Sequence, residues 1–436
     1  MTVSHDLLRL KLAEALAFQA GPLTARDVRV PAIPGKALAV IGVRRSGKTS
    51  FMAQRRADVV ARGTAPASQL LLSLEDERLA GMDVSDLAWL IDEHARQFPE
   101  AAADRTLYLD EVQVVPDWER LVRRLVDAGT QVVISGSSAR LLSREVATSL
   151  RGRAMEVLVH PFSFREALRH AGAEPGAPYD GLPPADRLEL DDRLRRYLAV
   201  GGFPEAQGAS AADRAALLRG YVDSVVLRDV IERHTVTNPL ALRWIERQLL
   251  SQPGGLFSVN KQHDALRSQG IPAAKDTLHA YLAHLEDAFL VRTVSINTTS
   301  ERQRMSNPRK AYPVDSGLIA LFERSGHENR GAALETAVLL ELERRGFDVA
   351  YVRTPDGFEV DFLAERAGDR PLLLQVSLET EGDATWDREL RALEAALPFH
   401  PEARAILVTL DAAPPVRPLP DRISWLPAAH WLLEDA

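Results

Sequence analysis

From residue 27 to residue 164, short apolar runs alternate with amphipathic stretches, the rhythm of a parallel sheet covered by helices on both faces. The runs at 37–41, 70–74, 107–109 and 132–134 predict strands, and 87–97 and 118–128 predict helices between them. A helix is also expected over residues 1–20, too short and, with Asp6 and Glu14, too charged for a membrane span or a secretory signal. Beyond residue 164 the pattern turns helical. A Pro/Gly-rich surface loop at 172–184 precedes helices expected at 191–200 and 211–234, separated by Gly201-Gly202-Phe203-Pro204.

Further on, helices are expected at 244–250, 258–268 and, after the turn Gly270-Ile271-Pro272, at 274–287, followed by a strand at 290–296 and a basic loop. That order predicts a winged helix whose third helix presents Lys275, Thr277 and His279 to a groove. Residues 292–310 hold five basic side chains (Arg292, Arg302, Arg304, Arg309, Lys310) against one acid, Glu301, so DNA contact is expected there, from Arg302, Arg304, Arg309 and Lys310 together with Lys275. Asp276, Glu286 and Asp287 on the same helix would repel phosphate, and a winged helix also serves as a protein-binding module.

From residue 331 a helix at 334–345 carrying Glu335 and strands at 348–353, 358–364 and 372–377 outline the scaffold of a metal-dependent nuclease, with Asp361 on the second strand. That chemistry needs carboxylates for Mg²⁺ and a lysine beside the attacking water. The positions that should read E-x-K are Gln375-Val376-Ser377, and no lysine follows Lys310. Arginine stays protonated and cannot serve as the base. The block is expected to keep the fold without cutting, with Glu379 as a residual ligand candidate. The chain thus divides into a nucleotide domain at 1–165, a helical lid at 166–238, a winged-helix module at 239–330 and a nuclease-like domain at 331–436.

The strongest chemical signal lies in the first block. Gly42-Val43-Arg44-Arg45-Ser46-Gly47-Lys48-Thr49 fits the G-x-x-x-x-G-K-[ST] phosphate loop, with a strand before it and helix formers after it. ATP is expected against Gly42, Arg45, Ser46, Gly47, Lys48, Thr49 and Ser50, with Lys48 at the β/γ oxygens and Thr49 on Mg²⁺. Thr106-Leu107-Tyr108-Leu109-Asp110-Glu111 ends a strand in two carboxylates, Asp110 for the metal and Glu111 for the attacking water. The strand before Ser135-Gly136-Ser137-Ser138 places Ser137, or else Ser135, where a polar side chain senses the γ-phosphate. Arg44 and Arg45 could face phosphate or pair with Asp76 and Glu77. The nearest approach to a guanine reader, Asn260-Lys261-Gln262-His263-Asp264, is one residue too long, which leaves ATP by elimination.

Composition narrows the setting. With 436 residues, 46% hydrophobic and 26% charged, the chain has the make-up of an ordered protein of two to four domains. The absence of cysteine excludes disulfides and thiolate metal sites and agrees with a cytoplasmic location. The net charge of −8 is uneven: residues 331–436 carry 20 acids against 10 arginines, so the basic character lies upstream.

Taken in order, the phosphate loop at 42–49, Glu75-Asp76-Glu77-Arg78-Leu79, Leu109-Asp110-Glu111-Val112-Gln113, Gly136-Ser137-Ser138, Leu150-Arg151-Gly152-Arg153, Pro161-Phe162-Ser163-Phe164-Arg165-Glu166, Gly201-Gly202-Phe203-Pro204-Glu205, Asp315-Ser316-Gly317-Leu318 and residues 357–362 resemble the prokaryotic AAA-type (AAA+/ASCE) ATPases that carry a restriction-endonuclease-like C-terminal domain. The likeness covers nearly the whole chain and implies an α/β fold: a P-loop parallel-sheet ATPase core, helical lid, winged-helix module and C-terminal restriction-endonuclease-like domain. It implies a homo-oligomeric ring, taken as a hexamer, in which Arg151 and Arg153 reach the neighbouring subunit's γ-phosphate. The sequence departs from an active nuclease of that kind at Gln375 and Ser377. The leading expectation is an ATP-hydrolysing ring that binds DNA, branched or junction DNA in particular, in repair, recombination or replication. The alternative is a nucleotide-controlled switch that binds a protein partner, at its C-terminal domain, without acting on DNA. Arg228 and Arg219 are candidates for a second sensor arginine in the lid.

Overall fold

The computed structural model describes residues 3–31, 33–102, 104–136, 150, 152–323, 329–379 and 383–434. The chain forms two compact units, Met1–Val159 and His160–Ala436.

In the first unit the expected strands appear as β1 (Ala37–Ile41), β2 (Gln69–Ser73), β3 (Thr106–Asp110) and β4 (Gln131–Ser135), joined by a fifth that the pattern did not reveal, β5 (Ala154–Leu158). All pair in parallel in the order β2-β3-β4-β1-β5. Burial on both faces explains why β1 reads Ala-Leu-Ala-Val-Ile without polar alternation. The helices α1 (His5–Ala17), α2 (Lys48–Ala61), α3 (Val84–Gln97) and α4 (Trp118–Asp127) cover the sheet. Their starts are written in the sequence: Ser4 caps α1, and Asp83 and Asp86 form a capping box on α3. On α4, Trp118, Leu121, Val122 and Val126 recur at helical spacing and are buried. Val40, Phe51, Met52, Leu71, Tyr108, Val133, Val157 and Val159 form a core cluster of this unit. Because β1 is flanked by β4 and β5, the chain leaving it emerges in the interior of the sheet's carboxyl edge, next to the end of β4.

The second unit begins with helices at Phe164–His170, Pro184–Val200 and Ala211–Ser224, the last running into a π-helix at Val225–Glu232 that holds Arg228. Residues 239–313 follow as a helix (Pro239–Ser251), a short strand β6 (Leu256–Phe257), two helices (Val259–Ser268, Lys275–Asp287) and a hairpin of β7 (Val291–Ile296) and β8 (Arg309–Pro313), with β6 pairing β8. The helix Arg330–Arg344 leads to β9 (Asp348–Arg353), β10 (Glu359–Glu365), β11 (Leu372–Ser377), β12 (Arg404–Thr409) and β13 (Ile423–Pro427). The hairpin and these strands make one sheet, ordered β13-β12-β11-β10-β9-β7-β8-β6, in which β7 and β9 pair in parallel at Ser295↔Ala350 and Ile296↔Tyr351. One core also runs through the stretches expected as lid, winged helix and nuclease-like domain: Phe164 and Leu194, then Val294 and Tyr312, then Leu334, Tyr351, Phe362 and Leu374.

Two glycine motifs find their reason here. The Asp315 carboxylate accepts the Gly202 N–H at 2.6 Å and the Gly317 N–H at 2.9 Å, while the Phe162 N–H donates to the Gly202 carbonyl at 2.7 Å. Burial pushes the Asp315 carboxyl up to about 6 against the pull of those two N–H donors. Gly201 has φ +80, and a Cβ on it would lie 1.8 Å from the Asp315 carboxylate.

Candidate active site

The phosphate loop is shaped by its backbone. Gly42 has φ +145, and a Cβ there would lie 2.2 Å from the Val159 carbonyl oxygen, so only glycine fits where β1 leaves the sheet. Arg45 (φ 65) and Gly47 (φ 96) are left-handed and turn the chain into α2, whose first residue is Lys48. Among the described residues no side chain caps that helix, which leaves its first N–H groups directed at the loop as an anion-binding end. Thr49 and Ser50 follow in the same first turn. The Ser46 hydroxyl is buried without a hydrogen-bond partner among the described residues, a polar group placed where a phosphate oxygen would satisfy it. Lys48 is buried, and its ammonium donates to the Gly42 and Val43 carbonyls, both at 3.1 Å. These features fit a nucleoside triphosphate, which in this cradle would take the Lys48 charge and the α2 N–H groups.

The metal side fits as well. The Thr49 hydroxyl donates to Asp110 Oδ2 at 2.7 Å, which brings together the two side chains expected to hold Mg²⁺. Ser135, the second candidate after Ser137 for sensing the γ-phosphate, supplies a link that the sequence does not predict. Its hydroxyl donates to Asp110 Oδ1 and accepts the Glu111 N–H at 3.0 Å, so one side chain at the end of β4 fixes both acids at the end of β3. Glu111 is left-handed (φ 53), and its carboxylate accepts from the Gln113 amide. Burial raises the Glu111 carboxyl above its ordinary value; Lys48, the Gln113 hydrogen bond and Arg44 pull the other way, while Asp110 adds to the rise. A half-buried carboxylate raised in this way suits a group that takes a proton from water. Replacing Ser135 by Ala should weaken Mg²⁺-dependent turnover roughly 10–100-fold through misplacement of Asp110, a loss that raised Mg²⁺ restores in part; turnover against Mg²⁺ concentration reads both.

The remaining site residues distribute unevenly. Ser137 and Arg151 lie outside the described residues. Arg153 does not approach its own loop: it precedes β5 at the opposite end of the sheet from Gly42, with its Nε 2.6 Å from Asp127. Arg44 stands 3.9 Å from Glu75, whereas Asp76 pairs with Lys11 at 2.7 Å and Arg78 at 2.8 Å, so the acids of that turn serve α1 as well as the loop.

In the second unit Lys275, Arg302 and Arg304 are exposed, Arg304 being 3.3 Å from Glu301. Arg309 is half-exposed, 3.8 Å from Glu286. Two members of the basic stretch are not available to DNA. Arg292 pairs with Glu343 at 2.8 Å. Lys310, expected on the wing, is 3% exposed and its ammonium sits among Asp361 (2.9 Å), Glu359 (3.0 Å) and Glu335 (3.3 Å). Side chains alternate along β8, so Arg309 and Lys310 take opposite faces and the second turns inward. The expectation of a site without lysine is corrected too, because the lysine arrives from upstream.

Among known proteins, residues 34–168 match the model of an AAA domain and residues 191–328 that of a domain of unknown function, DUF8612. The uncharacterized protein MJ1544 of Methanocaldococcus jannaschii is 31% identical over 377 residues, covering 85% of this chain and 81% of its own length. An uncharacterized protein of Haemophilus influenzae is 33% identical over 342 residues, 78% of this chain and 82% of that one. The Walker-type ATPase PABY2304 of Pyrococcus abyssi is similar at a TM-score of 0.41 and 14% identity, over 73% of this chain and 95% of that one.

Proposed function

Because the chain belongs to one family with these proteins of M. jannaschii and H. influenzae and carries an AAA-type P-loop ATPase domain at its start, we propose that it hydrolyses ATP with Mg²⁺ as a cytoplasmic homo-oligomeric ring, a hexamer, that acts on DNA. The observation that carries the hydrolytic reading is the chain of contacts from Thr49 through Asp110 and Ser135 to Glu111. Lys48, Thr49 and Asp110 would hold the nucleotide and its metal, which supplies charge neutralisation between the phosphates, and Glu111 would orient and deprotonate the attacking water. Arg153, at the sheet end away from its own loop, suits a role toward a neighbouring copy once it leaves Asp127. Among the described residues no helix is long and apolar enough to cross a membrane.

The DNA reading, with branched or junction DNA in repair, recombination or replication as its setting, is supported by the helix-strand-helix-helix-hairpin order of residues 239–313 and by exposed Lys275, Arg302 and Arg304. The inward turn of Lys310 and the pairing of Arg292 thin that basic surface and give weight to a second reading, a nucleotide-controlled switch that binds a protein partner. ATP hydrolysis measured with and without single-stranded, duplex and four-way-junction DNA at two salt concentrations separates them, with Lys48→Ala as the blank. We expect stimulation by one DNA form that fades with salt and falls in a Lys275→Ala/Arg302→Ala/Arg304→Ala variant. Turnover indifferent to every DNA would leave the switch.

A further inference from the structure

The scaffold of residues 331–436 implies a divalent metal between Glu335, Asp361 and the residue at position 375, and the side chains present do not fit one. Each of these side chains is already engaged. Asp361 Oδ1 faces the Lys310 ammonium at 2.9 Å and Oδ2 accepts the Val376 N–H at 3.0 Å. Glu335 Oε1 accepts from the Tyr312 hydroxyl at 2.5 Å and faces Lys310 at 3.3 Å. Gln375 is neutral and committed at both ends: Oε1 accepts the Asp361 N–H at 3.2 Å and Nε2 donates to Glu389 at 2.6 Å. Glu379 is exposed, and among the described residues only its carbonyl is engaged, by the Ser377 hydroxyl. Among the described residues no three His, Cys, Asp or Glu side chains are grouped to hold a metal ion.

We propose that Lys310 is the resident cation of this site: its ammonium, delivered from β8, occupies the place of a divalent metal between Asp361, Glu335 and Glu359, and the C-terminal block is a metal-free relative of a nuclease held by an internal charge. A buried carboxylate set needs a cation, and one ammonium within 3.3 Å of three carboxylates supplies it. Burial alone would lower the Lys310 ammonium, but Asp361, Glu335 and Glu359 outweigh it and keep the group charged well above its ordinary value. The inference stands apart from the ATPase reading, since it concerns residues of the second unit alone.

The test is Mn²⁺ binding to the nucleotide-free full-length protein, followed by electron paramagnetic resonance in an Asp110→Asn background that removes the metal ligand of the first unit. The parent should show no saturable site below millimolar Mn²⁺ and no thermal shift with Mn²⁺ or chelator. Lys310→Met should gain one site, at least tenfold tighter than the parent, and a midpoint that rises with Mn²⁺. Saturable binding by the parent that disappears on Asp361→Asn, or Mn²⁺-dependent nicking of supercoiled DNA lost with the same change, would overturn the proposal. If Lys310→Met does not fold, Lys310→Met/Glu335→Gln/Asp361→Asn, which removes the carboxylates' demand for a cation, should fold again; failure of both would equally overturn it.

Discussion

Replacing Glu111 by Gln is expected to lower ATP turnover at least about 100-fold while leaving nucleotide affinity little changed, since a positioned general base contributes roughly 10²–10⁴-fold and the exchange keeps size and hydrogen-bonding reach. The contacts that shape the site survive the exchange: Ser135 accepts the backbone N–H of residue 111, not its side chain, and Thr49 still meets Asp110. Only the capacity to take a proton is lost. The pH profile gives a second handle. Glu111 must be ionised to act, and burial raises its carboxyl above the ordinary value of 4.5, so the rate should fall with decreasing pH through a midpoint above that value. The residual turnover of Glu111→Gln should lack that acid limb. Steady-state turnover over pH, with nucleotide binding measured by displacement of a fluorescent analogue, checks both parts; wild-type turnover in Glu111→Gln would remove this residue from the chemistry.

Replacing Gly202 by Ala is expected to destabilise the second unit by roughly 3–5 kcal/mol, combining overpacking with the loss of buried hydrogen bonds. A Cβ there would lie 2.1 Å from the Phe162 carbonyl oxygen and 2.9 Å from its nitrogen, so a backbone must move. The same residue donates to Asp315 and accepts from Phe162, and a shift that relieves the clash breaks those contacts. Against a typical total of about 5–15 kcal/mol, a loss of that size leaves the unit marginal. Gly176→Ala is the control: nothing lies within 4 Å of its added carbon, and its effect should stay within about 0.5 kcal/mol. Urea unfolding followed by tryptophan fluorescence reads both, and equal midpoints for the two variants would deny the clamp.

The nucleotide site was legible because its parts are local. Eight consecutive residues build the phosphate loop, and a strand that ends in two acids announces itself by composition. What escaped depends on which strands lie side by side. Ser135 bridges both acids only because β4 pairs β3, and a serine at a strand end carries no mark of its neighbour. Lys310 looked like part of a basic loop because five cations cluster within nineteen residues. Its partners stand 25 to 51 residues further on, and only the alternation of an Arg-Lys-Ala-Tyr-Pro strand hinted that it faces inward. β5, β12 and β13 went unread for the same reason: short apolar runs gain their identity from the strands beside them.

The shared sheet of the second unit bears on how such a chain can be inherited. Its charge balance changes near residue 331, which looks like a seam, yet β7 takes one neighbour from before that point and one from after it. A gene broken there would leave one descendant with a bare strand edge and half a core, ready to pair with other chains, and the other with a lysine-less nest of acids. The two compact units part between Val159 and His160 instead. Residues 331–436 separated from residues 160–330 should therefore be unstable, because β9 would lose β7 and the carboxylates of Glu335, Glu359 and Asp361 would lose Lys310.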